Sequence, residues 1–256
     1  MQTHIRFLTF LFCFLTLPLW SGCFYVLEAE KQRQETVRQN SLQQCSEYIK
    51  KIELSLHDYL DSNSMCFPPL YTVAQDGKPL HSWRVLLLPF LGEQDLYEKI
   101  RLDEPWDSNH NKQFHSRMPS VYQCPSNSRK GCCYSVIAGK GFVPDRSGQG
   151  RYIREFMGEF IGGTSNVIAI VEVKEPFNWM DPTADVDLEE LLKGINSPRG
   201  RVSSFHTGGM NVGMFDGAVW FFPDSVETDV LRSLAEPADD KGIGVEYIWF
   251  LQSQKH

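Results

Sequence analysis

The residues best placed for chemistry form one run, His206-Thr-Gly-Gly-Met-Asn-Val-Gly-Met-Phe-Asp-Gly217, in which nine residues separate a histidine from an Asp-Gly pair. A histidine and an aspartate that meet can act as a base and its orienter, or as metal ligands. Their spacing argues against a meeting. With Met210 to Phe215 extended at about 3.3 Å per residue, His206 and Asp216 stand about 20 Å apart, at opposite ends of one strand. The glycines then read as turn residues. Gly208 and Gly209 follow a strand ending at His206, and Asp216-Gly217 leads into another ending at Phe222, which makes a three-stranded meander. His206 is therefore expected to pack at a turn, with ligand or metal contact as the alternative. Asp216 and Asn211 are the candidates for a calcium site.

Beyond the first two dozen residues stand five cysteines: Cys45, Cys66, Cys124, Cys132 and Cys133. In an oxidising compartment a bridge from Cys124 to Cys132 or Cys133 would close a short loop, and Cys45 or Cys66 could take the other partner. The odd number leaves one cysteine over. Zinc is the rival use, although no two-residue cysteine spacing is present. The acidic group Asp185, Asp187, Glu189 and Glu190 reads as a solvated helix face. Trp83, Trp106, Trp179 and Trp220 read as core or interface anchors. No nucleophile elbow, zinc-protease helix, phosphate-binding loop or dinucleotide fingerprint is found, and the expectation is a protein without catalysis. A net charge of -7 with no long basic run argues against a nucleic-acid partner.

Several elements must position these residues. From Glu28 the chain is rich in helix formers, and Leu42, Cys45, Ile49, Ile52, Leu56 and Tyr59 recur at steps of three and four, which predicts a long helix with one apolar stripe. It should stop near Asp61-Ser-Asn-Ser64, before Pro68-Pro69. Tyr71 onward reads as a strand entering an Asp-Gly turn, and His81 to Leu91 as a buried helix running into Gly92. Asp107 or Ser108 is expected to cap a short helix reaching Met118. Extended runs follow at Tyr134 to Ile137, Val167 to Val173, Val202 to His206, Met210 to Phe215 and Ala218 to Phe222. Helices first and strands later predict an α+β domain, a long N-terminal helix packed on an antiparallel sheet.

The N-terminus bears on the compartment. Phe7 to Leu19 is an apolar stretch of signal-peptide length preceded by His4 and Arg6. Leu19-Trp-Ser-Gly-Cys23 resembles a lipobox, which makes Cys23 the lipidation candidate. An uncleaved span and simple secretion are the alternatives. The expected organisation is residues 1–23 as signal or anchor, 24–62 as the long helix, and 63–256 as an extracytoplasmic α+β domain.

The ordered blocks Cys45 through Tyr59, Phe67-Pro-Pro69, His81-Ser-Trp-Arg-Val-Leu-Leu-Leu-Pro89, Asp103-Glu-Pro-Trp-Asp-Ser108, Cys124-Pro-Ser126 and Tyr134-Ser-Val-Ile-Ala-Gly139 precede the His206 to Gly217 run. Together they resemble a large bacterial family, best known from planctomycetes, of domain-of-unknown-function proteins with a prepilin-processing-associated H-X9-DG tail. That resemblance implies a type IV pilin or pseudopilin-like fold. The family's usual prepilin-peptidase site is replaced here by Arg6-Phe-Leu-Thr-Phe-Leu11, so a lipid on Cys23 would serve as the anchor instead. The functional expectation is a non-catalytic, membrane-anchored protein that contacts other envelope or secretion proteins. The alternative is a ligand- or calcium-binding surface or periplasmic lipoprotein, and an unrecognised hydrolase stands third.

Overall fold

The computed structural model describes residues 5–139, 150, 152, 153, 165 and 167–236, and for residues 5–24 the backbone alone. Two units divide the chain, Met1–Ser41 and Leu42–His256. Helix α1 is Ile5–Ser62. In the first unit Tyr25, Val26, Leu27 and Val37 are exposed, and Arg38 pairs with Glu35 at 2.7 Å. The Cys23 side chain lies outside the described residues. No helix among the described residues is long and apolar enough to cross a membrane.

In the second unit the stripe on α1 is buried as its periodicity requires, with Cys45, Ile49, Ile52 and Leu56 in the core. The helix ends where Ser64 and Met65 adopt positive φ. A small hairpin follows, β1 (Tyr71–Val73) and β2 (Pro79–Ser82), joined through Asp76-Gly77. The buried helix expected over His81 to Leu91 is broken into α2 (Trp83–Leu86) and a 3-10 turn, Leu88–Leu91. Pro89 supplies no N–H to continue an α-helix, and Gly92 at φ 81° ends the segment. After α3 (Gln94–Tyr97), the helix expected to reach Met118 is a single 3-10 turn, Asn111–Phe114, whose Asn111 N–H donates to Ser108 Oγ.

The main sheet comprises β3 (Cys132–Ala138), β4 (Ile168–Phe177), β5 (Val186–Asp187), β6 (Gly209–Met214) and β7 (Val219–Pro223), in the order β5-β3-β4-β6-β7. It is mixed rather than wholly antiparallel, because β5 runs parallel to β3. The expected meander is also reduced to a hairpin, β6 with β7. Residues 202–206 make one bridge, Val202 to Val173, after which the Ser204 hydroxyl takes the His206 N–H and turns the chain away. One face of the sheet packs on α1 and the segments after it. The other packs on α4 (Leu188–Leu191) and α5 (Thr228–Ala235). Strand β6 shows the division residue by residue: Met210, Val212 and Met214 enter the second core, which leaves Asn211 and Gly213 toward α1.

Candidate metal and thiol site

Close approach of α1 to β6 dictates the small and polar residues of that strand. A Cβ at Gly213 would overlap the Ile49 and Glu53 side chains, so only glycine lets the helix lie this close. Asn211 donates its side-chain amide to the Leu42 carbonyl on α1 at 3.1 Å. At the far end of β6 the Asp216 carboxylate accepts the Ala218 N–H, and Gly217 at φ 85° completes the turn. Asp216 and Asn211 are thus engaged at different parts of the hairpin, Asp216 in its turn and Asn211 against α1.

At the near end, three segments bring soft donors together. Cys45 comes from α1, Cys124 follows the 3-10 turn Ser120–Tyr122, and His206 occupies the bend before β6. The two sulfurs touch at 3.0 Å, and His206 Nε2 lies 3.8 Å from Cys124 Sγ. All three donor atoms lie within 4.8 Å of one another. Relative exposure is 0% for Cys45, 2% for Cys124 and 5% for His206, which seals the group from bulk water.

A carboxylate stands beside this group. Glu172 on β4 places Oε1 3.9 Å from His206 Nε2. Ser204 and Asn211 act on it weakly, yet neither oxygen completes a well-formed hydrogen bond. Burial pushes its pKa up to about 7, with His206 pulling the other way. A hydrogen bond shared between the two cysteines holds the Cys124 thiol below its ordinary value and Cys45 above its own. Thiolate and imidazole are the donors that zinc and cuprous ions prefer over oxygen-seeking cations. A tetrahedral ion with Zn–S bonds of about 2.3 Å needs its sulfurs about 3.8 Å apart, so Cys45 and Cys124 would have to part by less than 1 Å. The donor set fits such an ion. One coordination position would remain for Glu172 or an outside ligand.

His206 also forms part of the wall of an open cleft of about 600 Å³ lined by Lys174, Asn196, Arg201, Ser204 and Asp224.

Of the remaining cysteines, Cys133 lies beside the group, its thiol meeting the Cys124 backbone. The Cys132 thiol donates to the Tyr134 carbonyl, and burial raises it to about 11. Cys133 accepts from Asn127, and Cys66 is half-buried beside Phe67. The sulfur in contact with Cys124 is thus that of Cys45. A correction concerns the acidic group: Asp185 is buried rather than solvated, in a salt bridge to Arg84 at 2.6 Å. Asp187 caps α4. Sequence reasoning missed Glu172, Glu53 and Arg84. Their signal was a charged residue inside an otherwise apolar run, as in Ile-Val-Glu-Val around Glu172.

Residues 42–165 match the model of a family described as a protein of unknown function (DUF1559), so the chain carries that domain over this part. Cys45 and Cys124 fall inside the match; Glu172 and His206 lie beyond it. No curated protein and no solved structure matches.

Proposed function

We propose that the protein is an extracytoplasmic, membrane-anchored binding protein that holds a thiophilic metal ion between Cys45, Cys124 and His206. The observation that carries this reading is the meeting of three soft donors from three separate segments within 4.8 Å, in a place where packing alone would be served by apolar residues. Binding rather than catalysis is favoured because these donors are almost wholly sealed from solvent, and an ion needs only a small parting of the two sulfurs. Glu172, buried without a well-formed hydrogen bond, is suited to neutralise a cation next to it.

The test is a titration of the reduced protein with zinc, competed against a chromogenic chelator. One equivalent should bind, and Cys45→Ser and His206→Ala should each lower affinity by about 100-fold or more. Binding that is unchanged in both variants would end the proposal. A second reading, a pseudopilin-like module contacting envelope or secretion proteins, draws support from the long α1 and the exposed Tyr25, Val26, Leu27 and Val37. Charged substitutions at those positions should then release partners trapped by cross-linking in intact envelopes.

A further inference from the structure

The 3.0 Å between Cys45 Sγ and Cys124 Sγ lies between two chemistries. A disulfide needs the sulfurs about 1 Å closer, near 2.05 Å, whereas a shared metal needs them about 0.8 Å farther apart. Both adjustments are small, and they exclude each other, since a disulfide sulfur no longer offers a thiolate to a metal. We infer that Cys45 and Cys124 are a redox pair: oxidation joins them in a disulfide that fastens α1 to the loop before β3 and withdraws two of the three metal donors. This inference rests on the metal-binding reading for its second half only.

The chemistry balances with an external disulfide as the oxidant. The Cys124 thiolate attacks one sulfur of a small or protein disulfide, forming a mixed disulfide and releasing one thiolate. Cys45, as its thiolate, then attacks Cys124 Sγ and displaces the second. Two protein thiols become one disulfide, the external disulfide is reduced to two thiols, and two electrons leave the protein. The burial of both sulfurs sets when this happens. An oxidant reaches them only while α1 is undocked, during folding after export or in local opening. A metal captured first should therefore protect the pair, and a disulfide formed first should keep the metal out.

Among the described residues the recorded sulfur–sulfur contact is that of Cys45 with Cys124. Cys132 and Cys133 each have their sulfur engaged by a nearby polar group, and Cys66 sits where the chain pairs with Tyr152. A separate role for the pair follows from its reach, since Cys45 and Cys124 are 79 positions apart in sequence. Their bond would close a loop holding the β1–β2 hairpin, α2 and α3.

The experiment refolds the full-length protein from denaturant with oxidised and reduced glutathione, with and without zinc. Alkylation, proteolysis and mass spectrometry then identify cross-linked peptides. Without zinc, a peptide pair joining Cys45 to Cys124 should form, two hydrogens lighter than the separate peptides, and a reductant should reverse it. Zinc present from the start should lower its yield by about tenfold, and the isolated disulfide form should bind zinc about 100-fold more weakly than the reduced form. Absence of the Cys45–Cys124 pair under every oxidising condition would overturn the inference, as would zinc binding by the disulfide form as tight as that measured for the reduced form. If the pair forms but the reduced protein binds no zinc, the metal-binding reading fails and the disulfide stands. Cys45→Ser, which keeps the size of the side chain, controls for misfolding, because its circular dichroism should match wild type while the cross-link is lost.

Discussion

Two buried polar centres lie on the α1 side of the sheet, and they are built in opposite ways. Around Arg84, nearly every hydrogen-bonding group is answered. The guanidinium meets Asp185 through two bonds at 2.6 and 3.0 Å, the Tyr134 carbonyl at 2.8 Å and Ser82 Oγ at 2.9 Å. Asp185 further accepts from Trp83, Ser135 and the Val136 N–H. The Trp83 and Phe177 rings lie 4.5 and 4.7 Å from the guanidinium carbon. Around His206 the pattern reverses, with both Glu172 oxygens lacking a completed hydrogen bond and two sulfurs in contact with each other, one of them also facing the imidazole. A saturated network specifies one packing of α2 against β3 and β5. An unsaturated one leaves donor capacity over, and capacity retained in a sealed site is suited to a ligand.

That contrast predicts how each centre breaks. Removing one partner of the saturated pair leaves the other charge buried and alone, so Asp185→Ala should destabilise the protein by about 3 to 5 kcal/mol in urea unfolding. Measured under conditions where it is folded, the variant should keep its zinc stoichiometry. At the other centre, covalent state should matter more than any one contact. Joining Cys45 to Cys124 closes a long loop, and the oxidised protein should exceed the reduced, metal-free form by about 4 kcal/mol. Equal midpoints for the two forms would show that the bond strains the fold as much as it constrains the unfolded chain.

Acidity supplies a smaller effect with a definite sign. Burial, with a contribution from Asp216, lifts Glu53 to about 10 from an ordinary 4.5, and Glu172 is lifted to about 7. In each case the unfolded chain gives up its proton first. Stability is therefore full below pH 4.5 and falls as pH rises, through pH 7 for Glu172 and on toward pH 10 for Glu53, by on the order of 1.4 kcal/mol per unit for each group. Glu53→Gln should flatten the decline between pH 7 and 9, while Glu172→Gln should flatten it only below about pH 7. Unfolding midpoints that rise with pH over this window would contradict both assignments. The smallest expected effect is Asn211→Ala, which removes the bond to the Leu42 carbonyl and should cost about 1 kcal/mol.

The parts of this architecture that were legible in the sequence were those set by local physics. The three-and-four spacing of Cys45, Ile49, Ile52 and Leu56 required a buried helical face, and those residues are in the core. Asp216-Gly217 demanded a turn, and it has one. Residues 202–206 read as a strand because Val202 and Phe205 flank small polar residues. Their serine hydroxyls instead bind backbone groups that a strand would have paired. The site itself was half legible. His206 was singled out as a possible ligand, and Cys45 and Cys124 as oxidisable thiols, but their meeting is a tertiary event across 79 positions. Periodicity shows that Cys45 faces inward and says nothing of what faces it. Gly213 was passed over for a related reason, since the close approach of α1 that requires it exists only once helix and strand are docked.

The central claim is that Cys45, Cys124 and His206 form a ligand set rather than a packing accident, and zinc K-edge X-ray absorption of the reduced, zinc-loaded protein tests it most directly. The account predicts two sulfur neighbours at about 2.3 Å and one imidazole nitrogen at about 2.0 Å, with one light-atom position left to Glu172 or water. Cys45→Ser should remove one sulfur from the first shell. A shell of oxygen and nitrogen alone, or one unchanged by that substitution, would contradict it.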